Sequence, residues 1–118
     1  MKLLLGIGDG DDAAAALDAV AARAREAGDE VTVAVYAETD IGAVEARVRE
    51  HLDELGFEAG VERVDGDPGS QLVERADAGE YDRLVIPGGT RSPMGKVRLS
   101  DAAEFVLLNA RTSVTLLR

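Results

Sequence analysis

A chain of 118 residues has the length of a single domain, residues 1–118, and can bury a core without metals or disulfides. Its 46% hydrophobic and 31% charged residues argue against disorder, and the absence of cysteine removes thiolate chemistry and zinc–thiolate sites. A net charge of −10 repels nucleic acid and anionic lipid, so neither is expected as a partner. No apolar run approaches the roughly 20 residues that cross a bilayer. The opening MKLLLGIGDGDD turns acidic too early for a signal peptide, and a cytoplasmic setting is expected.

Residues 2–7 (KLLLGI) form an unbroken apolar run, the pattern of a strand buried on both faces. Asp11 and Asp12 offer N-caps to an alanine-rich helix with Ala16, Leu17, Val20, Ala21 and Ala24 on one stripe, ending at Gly28. Residues 31–37 (VTVAVYA) are β-branched and read as a second strand. Asp40 caps a second helix, whose Ile41, Val44, Val48, Leu52 and Leu55 follow helical spacing up to Gly56. Residues 58–64 alternate and predict a third, more exposed strand. A short helix over 68–78 starts on Pro68 and turns Leu72, Val73 and Ala76 inward. Residues 83–87 (RLVIP) predict a fourth strand, 101–109 a helix with Phe105 and Leu108 apolar, and 113–117 (SVTLL) a fifth strand.

Strands alternating with helices imply parallel pairing through right-handed crossovers, hence an α/β sheet with helices on both faces. Ligands of such sheets settle at the carboxyl ends of the strands, where strand order reverses. The glycine-rich turns GIGDGDD and PGGTRSPMGK follow the first and fourth strands, and would line one crevice if those strands are neighbours. Two nucleotide fingerprints come close and fail. Gly6, Gly8 and Gly10 would need a further glycine at position 11, which is Asp11. Gly89 and Gly95-Lys96 are one residue too far apart for a P-loop, and Val97 stands where Ser or Thr would reach magnesium.

A third pattern fits. DGDDAAAAL (Asp9–Leu17), VDGDPGSQLVERADAGEYDRLVIPGG and RSPMGKVRLSDAAEFVLLNARTSVTLLR occur in the order and spacing of the universal stress protein family. The chain resembles that family over residues 2–118, with a shortened stretch between second strand and second helix. The resemblance implies a single three-layer, Rossmann-like domain of the adenine nucleotide alpha-hydrolase kind. Its sheet would have five parallel strands in order 3-2-1-4-5, placing the first and fourth strands side by side. It also implies a homodimer through the last strand, Ser113, Val114, Thr115, Leu116 and Leu117, an edge that carries no proline or lysine to block pairing. One branch of the family binds ATP through G-x-x-G-x9-G-[ST]. Carried over, Asp9 would approach the ribose or a metal ion, Val35 the adenine, and Gly88 or Gly89 would be the first glycine of the loop.

The loop departs from that pattern. Thr90, Arg91 and Ser92 replace its second glycine, and the closing glycine-serine pair reads Ser100-Asp101. A carboxylate beside phosphate is repulsive, which Arg91, Lys96 and Arg98 would partly offset, and Gly95 of the same loop is a further candidate contact. In the plainer reading, Asp101 is the N-cap of the last helix, with Glu104 completing a capping-box-like pair. The expected function is that of a small dimeric stress-response protein with a degenerate nucleotide-binding loop. The alternative is a switch that binds ATP or AMP with magnesium.

Catalysis beyond slow ATP hydrolysis has no support. Asp9, Asp11 and Asp12 read as turn and cap residues rather than a magnesium site. His51, the only histidine, reads as helix-surface decoration with no Asp or Ser partner implied. Eleven arginines against two lysines, with dispersed carboxylates, resemble the proteins of salt-loving archaea.

Overall fold

The computed structural model describes residues 1–79, 81–88, 90–91 and 97–117. Eleven elements follow in order: β1 (Lys2–Gly8), α1 (Ala13–Ala27), β2 (Glu30–Tyr36), α2 (Ile41–Leu55), β3 (Gly60–Arg63), α3 (Pro68–Ala78), β4 (Arg83–Pro87), β5 (Thr90–Arg91), β6 (Val97–Arg98), α4 (Asp101–Asn109) and β7 (Ser113–Leu117). The main sheet has five strands in order β3-β2-β1-β4-β7, all parallel. This is the expected 3-2-1-4-5 arrangement. A short antiparallel pair, β5 with β6, was not anticipated.

Local chemistry sets the helix ends. Asp12, Asp40 and Asp67 accept from the amides of Ala15, Ala43 and Ser70, satisfying N–H groups that have no partner within their helices. Gly28 and Gly56 close α1 and α2 at positive φ, where a side chain would be strained.

The alternation of β1 splits the core into two layers. Leu3, Leu5 and Ile7 face Leu17, Val20, Val44 and Val48 of α1 and α2. Leu4 lies on the opposite face with Leu72 and Ala76 of α3 and Ala103 and Val106 of α4. Gly6 and Gly8 supply space rather than a phosphate cradle. A Cβ on Gly6 would lie 2.9 Å from Leu72, and one on Gly8 would lie 2.3 Å from the ring of Tyr36. The spacing that imitates a dinucleotide fingerprint is therefore packing. Ala103 and Val106 anchor α4, whereas Phe105 is 37% exposed and Leu108 84% exposed. Among the described residues no helix is long and apolar enough to cross a membrane.

Candidate functional site

The crossover reverses direction between β1 and β4, the neighbours at the centre of the sheet. A crevice of about 870 Å3 opens at the carboxyl end of β1. Its walls are the β1–α1 turn, the end of β2, and the N-termini of α3 and α4. This is where ligands of open α/β sheets gather.

The turn after β1 is held by its own carboxylates. Asp11 accepts from the Gly8 amide at 2.8 Å, and its backbone amide donates to the Gly8 carbonyl at 3.1 Å. Burial pushes the Asp11 carboxyl above its usual range; the Gly8 amide opposes this and the nearby Asp9 charge adds to it. Asp9 accepts from the Glu38 amide at 3.3 Å, joining the loops that follow β1 and β2. Tyr36 lies across Gly8, and burial, with lesser contributions from Asp11 and Asp9, pushes its phenol well above the ordinary range. The hydroxyl stays protonated at any physiological pH.

Several expected site residues converge here and others do not. Asp9, Ser100 and Asp101 line the crevice. Val35 is fully buried among Val33, Val44 and Val48, and the strand-end residues on the crevice are Tyr36, Ala37 and Glu38. Gly88 is buried against β7, where an added Cβ would stand 2.2 Å from the Leu117 carbonyl oxygen. Its lack of a side chain already has a packing cause. Gly89, Gly95 and Lys96 lie outside the described residues, and for Arg91 only its place in β5 is described.

Two expectations need correction. Ser100, not Asp101, is the N-cap of α4: its hydroxyl accepts from the Ala103 amide at 3.1 Å, and Asp101 is the first helical residue. Glu104 is then one residue too far along to complete a capping box. His51 does have an acidic partner, Asp18 of α1, at 2.7 Å, with Glu54 at 3.4 Å. Neither the aromatic wall of Tyr36 and Phe105 nor the part played by Asp67 and Gly69 was foreseen. The aromatic spacing gave no hint, because these residues reach one crevice from elements distant in sequence. Among the described residues no group of three acidic, histidine or cysteine side chains is placed to hold a metal ion.

No family model matches the sequence, and no curated protein matches it. Solved structures do. A universal stress protein from Archaeoglobus fulgidus superposes with a TM-score of 0.80 at 22% identity, over 100% of this chain and 98% of the other. A universal stress protein in complex with cAMP gives 0.75 at 22% identity, over 100% and 96%. A universal stress protein from Archaeoglobus fulgidus in complex with dAMP gives 0.75 at 20% identity, over 100% and 98%. The fold is that of the universal stress proteins.

Proposed function

We propose that the chain is a universal stress protein family member: a small, dimeric, cytoplasmic regulatory protein whose crevice binds an adenine nucleoside or nucleotide. The observation that carries this reading is the crevice at the β1–β4 reversal, in a fold whose neighbours include complexes with cAMP and dAMP. Mass spectrometry of freshly purified, denatured protein tests it directly. Release of an adenine nucleotide, or binding of adenosine or AMP by calorimetry, is the expected result.

Asp101 supports a second reading, in which the site is degenerate and the protein acts through its surfaces. It stands at the first turn of α4, where the ATP-binding pattern has serine. No nucleotide in the purified protein and no heat with adenosine or AMP is the result that favours it. Among the described residues lining the crevice no nucleophile stands beside a base, and neither reading assigns a catalytic residue.

A further inference from the structure

On the reading that the crevice binds adenine compounds, we infer that it selects for low charge: a nucleoside or its monophosphate is held, and polyphosphates are turned away. Each nearby helix N-terminus already has one of its free amides taken by the chain itself. An anion binds such a terminus through free backbone N–H groups. In α1, α3 and α4 the chain's own oxygens take an amide each: Asp12 that of Ala15 at 3.0 Å, Asp67 that of Ser70 at 2.9 Å, Ser100 that of Ala103 at 3.1 Å. Two of those caps are themselves carboxylates.

Among the described residues the walls carry the same sign, with no lysine or arginine in the lining. Asp9, Asp11, Glu38, Asp67 and Asp101 all line the crevice. Each further phosphate adds negative charge to this field, within a chain whose net charge is already −10. The Ser70 amide and hydroxyl hold Asp67 below its usual range, so that carboxylate is fully ionised at neutral pH.

The attractive surface is of another kind. The chain has only four aromatic side chains, and two of them, Tyr36 and Phe105, line this crevice. Each is seated against a glycine of the same wall: a Cβ on Gly8 would meet the Tyr36 ring at 2.3 Å, and one on Gly69 would meet Phe105 at 2.8 Å. A flat base gains affinity from such rings without any help from its phosphates. The protonated Tyr36 hydroxyl is available to donate to a sugar or base oxygen.

Calorimetry of the full chain with adenosine, AMP and Mg-ATP, at one ionic strength, tests the inference. Expected is an ATP dissociation constant at least about tenfold weaker than that of AMP, with adenosine no weaker than AMP. Asp101→Asn should narrow the AMP-to-ATP ratio several-fold, because Ser100 still caps the helix. Phe105→Ala should weaken adenosine and AMP together. ATP binding as tightly as AMP would overturn the inference and leave the adenine reading intact. An Asp101→Asn ratio identical to that of the unmodified chain would overturn its electrostatic cause. Failure of all the ligands to bind at millimolar concentration would sink the adenine reading, and the inference with it.

Discussion

Asp77, near the end of α3, takes hold of Thr112 twice: it accepts from the Thr112 amide at 2.9 Å and from the Thr112 hydroxyl at 2.8 Å. The same carboxylate accepts from the Arg111 amide at 3.1 Å. One side chain thus satisfies the backbone donors of the turn that launches β7.

These bonds hold the Asp77 carboxyl below its ordinary range, the Thr112 hydroxyl contributing most and the Thr112 amide next. A depressed folded-state value stabilises the fold above the unfolded value of 3.8 and is lost as the pH falls through the folded value. Thermal melts from pH 6 down to pH 3 should show Asp77→Asn less stable than the unmodified chain at neutral pH, by a few degrees. The gap should shrink toward the acid end. A gap that stays constant with pH would show that the carboxylate charge is not what matters.

His51 works in the opposite sense. Its hydrogen bond to Asp18 is the main reason its folded value is raised above 6.5, the nearby charge of Glu54 adding to it. A raised value stabilises below the unfolded value and is lost as pH rises through the folded one. Stability should therefore fall between pH 6 and pH 8, and His51→Gln should remove that slope. The effect is modest, because this is a surface pair linking α1 and α2. Equal slopes in both proteins would show that the pair does not couple to folding.

The glycines give a graded test of packing. Gly88→Ala sets a methyl against the fixed Leu117 carbonyl, and Gly8→Ala sets one against the Tyr36 ring. Each should cost about 1–3 kcal/mol as overpacking. Gly10 has no neighbour within 4 Å of a Cβ and no positive φ, so Gly10→Ala should be close to neutral. Denaturant unfolding of the three variants ranks them. A neutral Gly88→Ala would mean that the end of β7 yields, leaving the glycine free for another role.

The element ends were legible because each has a local cause. Asp12, Asp40 and Asp67 cap their helices, Pro68 opens α3, and Gly28 and Gly56 stop α1 and α2. The crevice was legible too, since alternating strands and helices force a reversal somewhere and the glycine turn after β1 lines it. What escaped depends on contacts between elements distant in sequence. The pairing of His51 with Asp18 spans 33 residues, and Tyr36 crossing Gly8 depends on sheet register. Serine and aspartate both cap helices well, so the choice of Ser100 over Asp101 rests on one residue of phase.

Salt should stabilise this chain. Dispersed carboxylates in a molecule of net charge −10 repel one another. The Debye length falls from about 10 Å at 0.1 M to about 3 Å at 1 M. The melting temperature should rise markedly between 0.1 M and 2 M KCl, and a flat or falling trend would remove the compositional resemblance to salt-adapted proteins as an explanation.

The last prediction concerns assembly. β7 pairs with β4 on one side only, and its other edge ends the sheet. Thr115 accepts from Arg83 at 2.7 Å and pairs with Val85, so the strand is well anchored within its own subunit. Val114, Thr115, Leu116 and Leu117 are all only partly buried, and Leu117 helps line a small recess of about 100 Å3 with Leu3, Val20 and Val85. Two copies meeting antiparallel along this edge would satisfy both rows of backbone groups and close with two-fold symmetry. Light scattering at micromolar concentration should report a dimer. Val114→Pro should yield a monomer with unchanged helical circular dichroism: the Leu117 carbonyl faces β4, so strand alternation turns the Val114 N–H to the open edge, where proline removes a ladder donor. A monomeric unmodified chain would refute this assembly, and a dimer that survives the substitution would move the interface to another face.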